Sequence, residues 1–217
     1  MDLWNKLVDV FLHLDTHLSE WAAELGPWFP ALLFVIVFCE TGLIVMPFLP
    51  GDSLLFAVGA LAAVSDGPIG VVEIALLLIV AAVLGDALNY SIGLRFGARL
   101  ASRADTWYFK REHLERTQRF YERHGGKTIV IARFMPIVRT FAPFVAGMGR
   151  MQYRRFALFN VTGGILWVVL FVGGGYFFGN LPAVKHNFQF VILAIIVLSI
   201  LPGVIHFLRA RGKAQQV

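Results

Sequence analysis

The sequence predicts an all-α integral membrane protein. Its plan is an inverted repeat of amphipathic helix, re-entrant hairpin and transmembrane helix, closed by a last transmembrane helix. Three observations predict this. The 217 residues are 58% hydrophobic and only 15% charged, where a soluble domain is about half apolar and a quarter charged. Phe188 to Leu208 runs for 21 residues without an acid, lysine or arginine, and a bilayer-spanning helix needs roughly 20. Two further apolar segments are cut by prolines and charges into pieces too short to cross.

The elements follow in order. Over residues 3 to 25, Leu3, Leu7, Phe11, Leu14, Leu18, Trp21 and Leu25 recur at helical spacing, with acids between them. Such a helix lies on a membrane surface rather than through it. With five acids and no basic start, it is not expected to be a cleaved signal. Pro30 to Val64 holds apolar runs at Ala31–Cys39, Leu43–Leu49 and Leu54–Val64. Glu40, Gly42, Pro47, Pro50, Gly51 and Asp52 fall between these runs. The expectation is two half-helices meeting at a broken tip, PFLPGD. Broken backbone is tolerated at membrane depth only where protein or trapped water satisfies it. Ile69 to Gly97 is a full span that carries Asp86, Asn89 and Tyr90 and ends in Gly93-x-x-x-Gly97, a small-residue pair that lets helices approach closely.

Residues 99 to 127 carry eight lysines or arginines against four acids and form a polar linker. Trp107, Tyr108, Leu114 and Tyr121 suggest a second surface helix there. Thr128 to Met148 is apolar but interrupted by Arg133, Pro136, Arg139 and Pro143, which predicts a second hairpin. Phe156 to Gly179 is the next span and ends in Gly175-x-x-x-Gly179. The order therefore repeats, with residues 1–98 as first copy, 99–179 as second, and 180–217 as last span and basic tail. One crossing separates the hairpins, so the copies are inverted, a transporter signature. Basic residues in the 99–127 linker, at Arg150, Arg154 and Arg155, and in the tail place those segments in the cytoplasm.

The charges within the hairpins are the chemical signal. An ionisable group at the bilayer centre costs roughly 2.5–3.5 kcal/mol, and four cost on the order of 10–14 kcal/mol. Opposite charges about 4 Å apart recover about 4 kcal/mol per pair at an effective dielectric near 20. Glu40 and Asp52 on the first hairpin are thus expected to face Arg133 and Arg139 on the second. A purely structural set of salt bridges is one reading. The other is a binding site, because an arginine offers more donors than one carboxylate uses and grips phosphate bidentately. Asp86, Asn89 and Tyr90 are candidates to line the same cavity, for a proton relay or for helix packing. Glu73 lies near the start of its span and reaches the surface. Cys39, the single cysteine, excludes an intramolecular disulfide and reads as a small buried hydrophobe. His13 and His17 are four apart but lack a third ligand, so no metal and no cofactor is expected. No nucleophile elbow, P-loop or dinucleotide fingerprint is present, so an enzyme is not expected. The basic linker suits anionic lipid rather than nucleic acid.

At the stretches FCETGLIVMPFLPGDSLLFAVGALA, GDALNYSIGLRFG, GGKTIVIARFMPIVRTFAPFVAGMG and RRFALFNVTGGILW the chain resembles the DedA family, the bacterial branch of the SNARE-associated or VTT-domain superfamily. The resemblance implies lipid movement across the bacterial inner membrane, linked to the proton-motive force. The implied substrates are undecaprenyl phosphate or phospholipids. It also implies that Glu40 and Asp52 are the family's essential acids and Arg133 and Arg139 its essential arginines. The partners expected on this reading are a polyprenyl phosphate or phospholipid and protons, with a homo-oligomer as a candidate assembly. The alternative is a proton-coupled cation antiporter. An intramembrane phosphatase lacks a histidine within the hairpins, and a non-transporting scaffold would not need the charges singly.

Overall fold

A computed structural model of the chain describes residues 14–43, 51–63, 70–102, 125–195 and 197. Among these the regular elements are helical, with no strand. They are α1 (Leu14–Leu25), α2 (Phe29–Gly42), α3 (Gly51–Ala62), α4 (Val71–Ser102), α5 (Lys127–Ala132), α6 (Pro136–Met148), α7 (Tyr153–Phe178), α8 (Pro182–His186) and α9 (residues 188–195). The expected hairpin tip with Pro47 and Pro50 lies outside the described residues. So do most of the polar linker, most of the final span and the basic tail.

Among the described residues three helical runs are long and apolar enough to cross a membrane: His17–Gly42, Val71–Gly97 and Tyr153–Phe178. The latter two are the spans predicted from sequence. The first departs from the expected division into a surface helix and a separate half-helix. Helix α1 passes through a 3₁₀ turn, Gly26–Trp28, directly into α2. Gly26 takes φ +49°, the left-handed conformation that ends helices cheaply in glycine, and Pro27 then restarts the chain.

Three expected interruptions do not break a helix. Glu40 and Gly42 were read as interruptions, but α2 runs through both. The Glu40 carboxylate is satisfied by an ion pair, so the helix has no reason to end there. Pro143 was read as a hairpin break, but it lies inside a continuous α6. A proline removes one ladder bond without ending a helix whose surroundings hold it. The helix break in this stretch falls at Arg133–Met135, between α5 and α6. Met135 is extended because it precedes a proline, and Pro136 opens α6 at a position where its missing amide costs nothing.

The chain forms two compact units. One comprises Met1–Phe34, Phe48–Leu78 and Val168–Val217, and the other Val35–Pro47 and Ile79–Trp167. In the first, α1 packs on α3, with Leu18 fully buried. The end of α7 also lies against α3. A Cβ on Gly175 would sit 1.9 Å from the Phe56 carbonyl oxygen, and one on Gly59 2.1 Å from that of Val172. Gly179 packs on Ala60, whose carbonyl accepts from Asn180 Nδ2 at 2.9 Å. In the second unit α4 lies against α6 in the same manner. A Cβ on Gly93 would sit 2.0 Å from the Phe144 carbonyl oxygen, one on Gly147 2.0 Å from that of Tyr90, and Gly97 packs on Met148. No residue larger than glycine fits these seams. Beside them, Tyr90 stacks on Phe156 and donates its hydroxyl to the Met151 carbonyl.

Gly147→Val is therefore expected to destabilise the protein by about 3 kcal/mol, because the branched side chain meets backbone that cannot yield. Gly173→Ala, where a Cβ meets nothing within 4 Å, is expected to hold or slightly raise stability by helix propensity. Thermal unfolding of the two variants in detergent checks both.

Candidate functional site

The site lies wholly within the second unit and is assembled from four segments. Glu40 stands in the last turn of α2. Asp86 and Asn89 are one turn apart on α4 and so share a face. Arg133 sits in the break between α5 and α6, and Arg139 in the first turn of α6. From α7 come Asn160, Gly163, Gly164 and Trp167, whose 0, 3, 4, 7 spacing lines one stripe of the helix. Glu40, Asp86, Asn89, Arg133, Arg139, Asn160 and Trp167 are each at most 8% exposed.

Three glycines let these segments converge. Gly42 of α2 crosses α4 at Gly85, where an added Cβ on Gly42 would lie 3.3 Å from the Gly85 backbone. Gly85 in turn has Thr41 Oγ1 and the Phe38 carbonyl against it. The crossing puts Glu40 and Asp86 on adjoining helices. On α7, Gly164 gives room to the Arg133 guanidinium, whose Nη1 lies 2.9 Å from where a Cβ would stand.

Two ion pairs result. Arg139 Nη2 donates to Glu40 Oε1. Arg133 Nη2 donates to Asp86 Oδ2 and, at 2.8 Å, to Asn160 Oδ1. Asn160 is itself anchored to α4, donating from Nδ2 to the Val83 carbonyl at 3.0 Å. Both arginines also lie on one aromatic ring. The Arg133 and Arg139 guanidinium carbons are 5.7 and 5.2 Å from the Trp167 ring centre, within cation–π range. Arg133 Nη1 is buried and has no hydrogen-bond partner among the described residues. A cavity of about 10 Å³ is lined by Thr41, Asp86, Arg133, Arg139, Pro143 and Trp167. It has room for about one water.

Of the residues singled out from sequence, Glu40 does meet Arg139. The carboxylate on Arg133, however, is Asp86, expected only as a cavity candidate. Asp86 lines the cavity, while Asn89 bonds backbone carbonyls and Tyr90 stacks in the aromatic cluster beside the glycine seam. Asp52 is buried in the first turn of α3, in the other unit, with Gly51 opening that helix. Pro136 opens α6, and Pro143 lines the cavity from inside that helix. Sequence reasoning misses Asn160 and Trp167, a lone asparagine and a tryptophan seven residues apart on a spanning helix. Among the described residues no cluster of histidine, cysteine and acid has metal-site geometry.

These features define an α-helical membrane protein with charged side chains buried among its membrane-spanning helices. Comparison with known proteins gives the family. The VTT domain model matches residues 49–177. The chain is 56% identical to Protein DedA of Escherichia coli K12 over 214 residues, covering 99% of this chain and 98% of that one. It is 42% identical over 187 residues to an uncharacterized membrane protein of Mycobacterium tuberculosis H37Rv, covering 85% and 82% of the two chains. It is 37% identical over 151 residues to Inner membrane protein YqjA of Escherichia coli K12, covering 70% and 68%. No solved structure matches. The chain belongs to the DedA family of VTT-domain membrane proteins.

Removing one member of a buried pair strands the other, which costs about 3–5 kcal/mol. Asp86→Ala is accordingly expected to lower stability by that amount, and Asp86→Leu combined with Arg133→Met to recover most of it. Thermal unfolding of the single and double variants measures this.

Proposed function

We propose that the protein is a lipid translocase of the bacterial inner membrane, driven by the proton-motive force and acting on undecaprenyl phosphate or another anionic lipid head group. The observation that carries this reading is the convergence of Arg133 and Arg139 on one cavity and one tryptophan. Two guanidinium groups converging in low-dielectric surroundings match a phosphate's charge and its several acceptor oxygens. A purely structural pair would do as well with apolar residues of similar volume. The resting cavity is too small for a phosphate, so head-group entry requires the ion pairs to part. Protonating Glu40 or Asp86 cancels the attraction to its arginine, about 4 kcal/mol at an effective dielectric of 20. That makes the carboxylates the proton-coupling groups and the arginines the phosphate clamp. Asp52 takes its coupling role from the family resemblance. The reaction moves a lipid and makes no covalent change, so the protein is a transporter, not an enzyme.

The same reading treats α2–α3 and α5–α6 as re-entrant hairpins. At about 1.5 Å per residue the 14 residues of α2 and 12 of α3 reach only ~21 and ~18 Å, short of a hydrocarbon core of about 30 Å. This reading divides the His17–Gly42 run at the left-handed Gly26 and lays α1 on the membrane surface. The inverted repeat is supported by the glycine seams. Gly175 and Gly179 meet Phe56 and Ala60 while Gly59 meets Val172. Gly93 and Gly97 meet Phe144 and Met148 while Gly147 meets Tyr90. In both units the helix–helix register is the same, residue for residue. With α4 as the single crossing between the hairpins in sequence, this reading makes the second copy an inverted one, a transporter signature.

Each arginine makes charge-assisted hydrogen bonds worth about 1.5–3 kcal/mol, and a bidentate grip uses two. Arg139→Ala and Arg133→Ala are thus each expected to slow uptake of radiolabelled undecaprenyl phosphate into proteoliposomes at least about 100-fold. The proteins should remain inserted and folded, and no cation flux should accompany the lipid. Undiminished lipid turnover by the folded double variant, or cation flux without lipid movement, contradicts the proposal.

A further inference from the structure

Asn89 is fully buried on α4, and both hydrogens of its amide are used. Nδ2 donates to the Thr41 carbonyl at 3.3 Å and to the Thr140 carbonyl at 2.7 Å. Thr41 follows Glu40 and Thr140 follows Arg139 in the chain. One side-chain amide therefore ties together the two backbones one residue beyond each member of the ion pair.

The Thr41 carbonyl lies where the backbone needs outside support. Thr41 is in the last turn of α2, where carbonyls run out of intrahelical donors. The Thr140 carbonyl lies one residue past that of Arg139, which loses its intrahelical donor to Pro143. Within hydrocarbon, no water is at hand to replace such a donor. The spanning helix α4 supplies it, and is itself held on α6 by the glycine seam at Gly93 and Gly147.

We propose that Asn89 is a positioning residue for the Glu40–Arg139 pair: it fixes the register between α2 and α6 so that the carboxylate and guanidinium meet at the cavity. This deepens the translocase reading and rests on it for its consequence, since a loosened register opens the gate without a proton. The geometry does not require Asn89 to touch any lipid.

The test uses the full chain in proteoliposomes, with Cys39→Ala and nitroxide labels at Leu43→Cys and Phe141→Cys, which are exposed at the end of α2 and on α6. A second label pair, Leu94→Cys and Phe141→Cys, reports α4 against α6. Pulsed dipolar spectroscopy gives each distance distribution. Asn89→Leu keeps the volume and removes both donors. It is expected at least to double the width of the α2–α6 distribution and to leave the α4–α6 distribution unchanged. Asn89→Ser, which keeps one donor and is the milder change, is expected to give an intermediate α2–α6 width. An α2–α6 width unchanged in both variants overturns the proposal. So does equal broadening of both label pairs, which is what a merely structural loosening produces. If the α2–α6 width alone responds while Arg139→Ala still moves undecaprenyl phosphate, the positioning role stands and the translocase reading falls.

Discussion

Everything in this protein is arranged around the cost of holding two guanidinium groups among membrane-spanning helices. Each is expensive in hydrocarbon. The chain meets the cost with a carboxylate for each, Glu40 for Arg139 and Asp86 for Arg133. It adds a neutral acceptor, Asn160, for Arg133, and one aromatic face for both. Such a cluster is a poor way to gain stability, since apolar packing does as well. It is a good way to keep a charge ready. A buried cation whose partner is neutralised by one proton becomes available to an anion.

The cluster depends on helices coming closer than ordinary side chains allow. Gly42 against Gly85 brings the carboxylate helices together. Gly93 and Gly147 lock α4 on α6, and Gly164 leaves space beside Arg133. Close backbone approach is the usual means by which membrane helices associate, because no hydrophobic drive operates between them in lipid. Here it also sets the electrostatics. A separation larger by one methyl group would leave the charges paired through water or not at all.

Much of this was legible in the sequence. Two of the three spanning runs among the described residues stood out by length and composition. Arginines in an apolar, proline-bearing stretch had to find acids, and Glu40 was one of them. The identity of the other was not legible. Three acids and two bases admit several pairings, and spacing along the chain says nothing about which helix lies beside which. Asp86 was therefore seen as a cavity residue and not as the partner of Arg133. The helix breaks were misjudged for a related reason. Gly42 and Pro143 oppose helix locally, but tertiary partners hold α2 and α6 intact through them, while Glu40, a good helix former, interrupts only the apolar run. Asn160 and Trp167 passed unnoticed because a single amide and a single indole on an apolar helix are ordinary until something charged is placed opposite. The G-x-x-x-G pairs were visible. Their matched partners, the FAVGA of α3 and the FVAGM of α6, carry a weaker signal that only the packing brings out.

The central claim is that these two arginines exchange their carboxylates for a lipid phosphate. Solid-state nuclear magnetic resonance on arginine-labelled protein in bilayers tests it most directly, with signals assigned through Arg133→Lys and Arg139→Lys. Guanidinium nitrogen should couple to carboxylate carbon in lipid that lacks prenyl phosphate. On adding undecaprenyl phosphate below neutral pH, nitrogen–phosphorus coupling should appear for both arginines as the carboxylate coupling weakens. Carboxylate couplings that persist unchanged, with no phosphorus within reach of either guanidinium, would contradict the account.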